Sequence, residues 1–192
     1  MNKLGYFTVP QCVAIATIAA AFAVVALFNQ ILTDLARGLF GFYGSMVFTG
    51  VFQTPGILAY CLLRRRWAAF TTQNLFGFGQ IALGNPAGFL VFWFTFAEAA
   101  AQELVLRAVP LRAARTWPVF AIAGVASFIG AQIPNYLIYG LGEMAWWTWL
   151  LPMLLVGIPS SILFPTTICL ATKRALPPSS GLMLSDEMAE QV

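Results

Sequence analysis

Apolar runs of about twenty residues, the length that crosses a bilayer as a helix, alternate along the chain with short polar or glycine–proline clusters. The first runs from Pro10 to Phe28 and opens on a proline, which is tolerated at a helix start. A mixed stretch follows, Asn29 to Tyr43, with Thr33, Asp34, Arg37, Gly38 and Gly41 among apolar residues. It reads as a connector that dips into the protein or caps it. The second run, Gly44 to Leu63, stops at Arg64-Arg65-Arg66. The third, Trp67 to Leu83, leads into Gly84-Asn85-Pro86-Ala87-Gly88, a cluster of helix breakers that predicts a tight turn. The fourth covers Phe89 to Ala108, the fifth Trp117 to Tyr139, and the sixth Leu150 to Thr172, ending at Lys173 and Arg174. Residues 1–175 thus form one domain of six predicted spans. Residues 176–192, with Pro177, Pro178, Asp186, Glu187 and Glu190, read as a short solvated tail.

Composition turns this pattern into a solvent argument. Of 192 residues 60% are hydrophobic and 9% charged, against about 45–50% and 25% in an ordinary soluble domain. A soluble fold would leave much of that apolar surface in water, so the expected class is an all-α integral membrane protein. Charge then orients it. Lys3, Arg64, Arg65, Arg66, Arg107, Arg112, Arg115, Lys173 and Arg174 fall on one side when connectors alternate, and only Arg37 on the other. The positive-inside rule places both termini in the cytoplasm. With a single basic residue before its apolar run, the N-terminus reads as leading into an uncleaved first helix. The net charge of +3 forms no basic stripe of the kind that binds nucleic acid.

Polar groups within lipid are expensive, so their positions carry the functional signal. Gln80 lies one turn from the Gly84–Gly88 cluster and Gln73 about two turns further on the same face. Gln53 sits near the middle of the second span; Gln132 and Asn135 flank Pro134 in the fifth; Asn85 lies in the turn itself. Glu98, about ten residues into the fourth span, has no basic residue one turn away. It reads either as a glutamate bonded to amides between helices or as a ligand contact on a pocket floor. Glu103 has Arg107 four residues on, the spacing of a helical ion pair. Trp93, Trp146 and Trp147, with Trp149, Tyr136 and Tyr139 nearby, form either an interfacial belt or a stacking site for a flat heterocycle. On the first helix Ala16/Ala20 and Ala19/Ala23 are small-residue pairs that admit a close helix, from this chain or from a partner subunit.

Several chemistries are excluded. The chain has no histidine, no phosphate loop, no metalloprotease or nucleophile-elbow motif, and Cys12, Cys61 and Cys169 are too far apart to form a CxxC pair. No catalytic residue, cofactor or metal site is expected. Glu98 and Glu103 point about 140° apart on a helix, which argues against an intramembrane acid/base pair. An assembly subunit without ligand and a self-sufficient carrier remain as alternatives to a substrate-capture subunit.

The Gly84–Gly88 turn, the following helix with Glu98 and Ala101-Gln102-Glu103, together with Phe22-Ala23-Val24-Val25, Gly50 and Ala126-Ser127-Phe128-Ile129, resemble the substrate-binding (S) components of energy-coupling factor (ECF) ABC transporters. Within that family they are most similar to the YkoE-like group associated with thiamine and its hydroxymethylpyrimidine precursor. The resemblance implies a six-helix bundle with an outward-facing vitamin site, and a lid made by the connector after the first helix. It also implies an Ala16/Ala20 face that docks on a transmembrane coupling protein bearing two cytosolic ATPases. It further implies carboxylates where Gln73 and Gln80 stand and a glutamine where Glu98 stands. Either the carboxylate has moved within one pocket, or the solute is a neutral pyrimidine or another small heterocycle.

Overall fold

A computed structural model describes residues 7–109, 116–138, 140, 143 and 145–175, except the side chain of Trp146. Among the described residues the regular structure is entirely helical: α1 (Val9–Phe40), α2 (Phe42–Met46), α3 (Thr49–Leu63), α4 (Ala68–Ala82), α5 (Leu90–Ala108), α6 (Trp117–Ile138), α7 (Trp146–Pro152) and α8 (Ile158–Ala175), with a π-helical turn, Met153–Gly157, joining the last two. Lys3, Arg112, Arg115, Tyr139 and the predicted tail lie outside the described residues.

The helix α3 is the axis of the bundle. It packs against α1, α4, α6 and α8, and every residue from Gln53 to Leu63 is buried. This explains its sequence, apolar all round with no single polar face, as a helix enclosed by other helices should be. Its close neighbours need small residues at the crossings. A Cβ on Gly50 would lie 2.1 Å from the Ser160 carbonyl oxygen, and one on Gly124 of α6 2.0 Å from that of Ser161. Ser160 also ties the α2–α3 junction to α8: its hydroxyl donates to the Val47 carbonyl at 2.8 Å and accepts from the Gly50 N–H at 3.0 Å.

The first helix corrects the expectation of a separate connector at Asn29–Tyr43. α1 runs unbroken to Phe40 because Asn29 and Thr33 extend the buried stripe begun by Ile15, Ala19, Ala23 and Ala26, at the three- and four-residue steps of one helix face. The turn comes at Gly41, whose φ of 60° favours glycine. There α2 folds back on α1; a Cβ on Gly44 would meet the Ala36 carbonyl oxygen at 1.9 Å. The second predicted run is correspondingly split into α2 and α3.

The two alanine pairs of α1 separate. Ala19 and Ala23 are buried in a cluster with Phe76 of α4, whereas Ala16 and Ala20 are exposed. Ala19 and Ala23 are therefore unavailable to a partner, and the docking expectation narrows to Ala16 and Ala20. Among the described residues four helical stretches are long and apolar enough to cross a membrane: Val9–Phe40, Phe42–Leu63, Trp117–Ile138 and Trp147–Ala175. Between them stand α4, at 15 residues, and α5, which carries Glu98, Glu103 and Arg107.

Candidate substrate site

A cavity of about 840 Å³ opens between α1, α2, α3, α4, α5 and α6, within the usual range of small-molecule sites, about 300–1,000 Å³. Gln30, Asp34 and Arg37, on the last turns of α1, line it together with Phe42, Ser45 and Met46 of α2. The extension of α1 that the sequence pattern had assigned to a connector thus supplies part of the wall. Phe52, Phe76, Phe94 and Phe128 give aromatic surface, and Gln53, Gln80, Asn85, Thr95, Glu98, Gln132 and Asn135 give polar groups.

Six expected site residues are brought together here: Glu98, Gln80, Gln53, Gln132, Asn135 and Asn85. Trp93 and Trp147 are not, which corrects the stacking expectation for those two; the Trp146 side chain lies outside the described residues. Trp93 is 51% exposed and Trp147 54% exposed, and neither lines the cavity. On α5 the inner face is Val91, Phe94, Thr95 and Glu98, spaced three and four residues apart. Trp93 lies two positions from Val91 and from Thr95, about 200° round the helix from each. The aromatic surface of the cavity comes instead from phenylalanines. They could have been found from the sequence, since Phe94 and Thr95 stand four and three residues before Glu98.

Backbone groups fix the polarity of several cavity amides. The Ala87 N–H donates to Asn85 Oδ1 at 2.9 Å, so Asn85 must offer its Nδ2, which donates to Gln80 Oε1 at 3.0 Å. Gln80 is left with Nε2 for the cavity. The tight turn expected at Gly84–Gly88 therefore has a chemical use: it makes Gln80 a donor. Across the cavity Asn135 Nδ2 donates to the Ala131 carbonyl and to Gln132 Oε1, at 3.1 and 3.3 Å. Gln132 Nε2 donates to the Phe128 carbonyl at 3.2 Å.

Glu98 lies on the cavity wall and is buried. Its Oε2 accepts from Gln73 Nε2 at 2.7 Å, so the two readings of Glu98, amide-bonded between helices and facing a pocket, hold together. One layer further in, Gln102 Nε2 donates to the Gln53 carbonyl and to Ser127 Oγ, both at 2.8 Å. Gln102 is four residues after Glu98, and that spacing was the sequence signal for it. Glu103 stands apart from the cavity. It accepts from the Trp67 N–H at 2.6 Å and the Phe70 N–H at 3.4 Å, capping α4, and pairs with Arg107 Nε at 3.1 Å. The Arg107 guanidinium also stacks 3.7 Å above the Trp67 ring.

Residues 11–130 match the family described as ABC-type cobalt transport system, permease component. The chain belongs to this family of permeases. Its sequence is also similar to YkoE of Bacillus subtilis (strain 168), named as an HMP/thiamine permease protein, with 25% identity over 132 residues. That alignment covers 69% of this chain and 66% of the relative, just under two thirds of its length. A crystal structure of an S-component of an ECF transporter superposes with a TM-score of 0.85 at 21% identity, covering 97% of this permease and 94% of the other chain. The permease thus has the S-component fold, as the resemblance in its turn and its Glu98 helix implied.

Proposed function

We infer that this permease subunit captures a small organic cation of the thiamine type, or its pyrimidine precursor, from outside the cell. It would have six spans, both termini in the cytoplasm, and a coupling protein with two ATPases as partners. The observation that carries the reading is the cavity, whose lining combines phenylalanine rings with a buried carboxylate. Among its lining residues two are acidic, Asp34 and Glu98, and one is basic, Arg37, a balance of groups that suits a cation. The phenylalanine walls suit a flat heterocycle, and the locked Gln80 supplies an orienting donor. The relative named for HMP and thiamine supports the same ligand class.

The family description names cobalt, but the donor set here suits an organic solute better. The sequence has no histidine, none of the three cysteines lines the cavity, and among the described residues no three His, Cys, Asp or Glu side chains converge on one point. Imidazole and thiolate, the protein donors that hold late first-row transition metals most readily, are thus missing from the lining. The outward-facing orientation rests on the nine-to-one distribution of basic residues, and the docking face on exposed Ala16 and Ala20.

The test is a titration of the purified protein with thiamine, hydroxymethylpyrimidine and Co²⁺, followed by tryptophan fluorescence. Trp149 packs on the cluster of Met46, Phe128 and Met153, and Met46 and Phe128 line the cavity, so occupancy should perturb its emission. Saturable quenching by either organic ligand is expected. A response to Co²⁺ with none to the organic ligands would overturn the reading.

A further inference from the structure

Proline 55 stands inside α3, and a helix-interior proline removes a backbone donor and strains the turn before it. Opposite that turn lies Gln73 of α4, fully buried. Its Oε1 accepts from the Gly56 N–H at 3.2 Å, and its Nε2 donates to the Phe52 carbonyl at 2.8 Å. Phe52 and Gly56 are four residues apart, the two ends of one helical rung. The Gln73 amide therefore lies across this rung and offers each end its complement. A flipped amide would set Nε2 against the Gly56 N–H and Oε1 against a carbonyl oxygen, so the orientation is fixed.

The second hydrogen of Nε2 goes to Glu98 Oε2 at 2.7 Å. Every hydrogen-bonding group of Gln73 is then in use: one end holds the backbone of α3 and the other holds the carboxylate. Among the described residues Glu98 Oε1 has no hydrogen-bond partner, and it is left for the cavity that Glu98 lines. Gln73 itself does not line the cavity, so its amide reaches a bound solute only through Glu98.

The geometry points to Gln73 as the positioning residue of the site: anchored on the Phe52/Gly56 rung beside Pro55, it holds Glu98 with one carboxylate oxygen turned to the substrate. This rests on the reading of Glu98 as the group that meets the cationic solute. It adds a specificity rule. The floor presents an acceptor edge in a fixed direction, suited to a solute that brings a cationic N–H or a ring cation to that point. A neutral solute lacking a donor there leaves the buried carboxylate uncompensated.

The experiment is a double-mutant cycle of Gln73→Leu, Glu98→Gln and the double variant, with Glu98→Asp as a fourth protein. Two quantities are read: thiamine affinity by tryptophan fluorescence, and the infrared carboxyl band of Glu98 in ligand-free protein. That band is isolated by subtracting the spectrum of the Glu98→Gln partner in each background. Gln73→Leu should weaken thiamine binding about tenfold, as loss of a hydrogen bond to a charged group does, and should shift the Glu98 band. In the Glu98→Gln background the same change should lose less than twofold. Glu98→Asp keeps the charge but is one methylene too short to reach Nε2, so it should also lose about tenfold; this arm leaves Gln73 intact and stands even if Gln73→Leu does not fold.

Equal losses from Gln73→Leu in both backgrounds would mean that Gln73 only supports α3, and would overturn the proposal. So would a Glu98 band unchanged by Gln73→Leu, or a Glu98→Asp variant that binds as wild type. A wild-type protein that ignores thiamine refutes the ligand reading instead, and the infrared arm then decides the Gln73–Glu98 bond by itself.

Discussion

Replacing Gly56 by alanine should destabilise the protein through one identifiable collision. A Cβ at this position would lie 2.2 Å from Gln102 Oε1 and 2.9 Å from the Ala69 carbonyl oxygen. The Gln102 amide can rotate away, but only by giving up its bonds to the Gln53 carbonyl and Ser127 Oγ, each worth about 1 kcal/mol. The Ala69 carbonyl belongs to α4 and cannot rotate, so the two helices must part slightly, at the 1–3 kcal/mol usual for overpacking, roughly. Together these give a loss of about 3–5 kcal/mol, offset by about 1 kcal/mol from the better helix propensity of alanine.

The net, about 2–4 kcal/mol, corresponds to a fall of roughly 5–15 °C in melting temperature for a chain of this length. Thermal unfolding in detergent, followed by tryptophan emission, measures it. Gly38→Ala on α1 is the control, since a Cβ there meets nothing within 4 Å; it should leave the melting temperature unchanged or raise it. A Gly56→Ala protein as stable as wild type would refute the claim that α3 and α4 meet at van der Waals limit around this residue.

Two further outcomes are expected. Asn85→Ala removes the group that fixes Gln80, so thiamine affinity should fall about fivefold, the worth of one neutral hydrogen bond, with helicity by circular dichroism unchanged; an unaltered affinity would show that Gln80 is not held as a donor. Ala16→Leu should block co-purification with a coupling protein while leaving ligand affinity and melting temperature intact, whereas Ala19→Leu should destabilise the fold by about 1–3 kcal/mol through overpacking against α4; the reverse result would exchange the roles of the two faces.

The sequence made the helices and the site legible to different depths. Lipid tolerates so few polar groups that Glu98, the glutamines and the asparagines stand out without any structure, and Glu98, Gln53, Gln80, Gln132, Asn85 and Asn135 do line one cavity. The course of α1 beyond Phe28 is masked in the sequence because Asn29 and Thr33 are polar, whereas on the helix they continue its buried face. Trp93 drew attention by residue type, although the face of α5 was already set by Glu98. Other features depend on contacts between distant segments. The Gln73 bridge joins residues 17 and 25 positions away, and the Ser160 tie spans 110. No local pattern encodes such pairs.

The length of α1 has a mechanical consequence. Its 32 residues measure about 48 Å, and exposed apolar side chains line it from Val9 and Val13 to Leu39 and Phe40. A hydrocarbon core is about 30 Å thick, and about 40–45 Å with its headgroup zones. The rod fits only by leaning, at roughly 30° if both ends rest among the headgroups, toward the steep end of the usual range. Because α1 packs against α2, α3 and α4, its lean is the lean of the bundle, and it sets the depth at which Gln30, Asp34 and Arg37, on its last turns, and the cavity they line meet the headgroups.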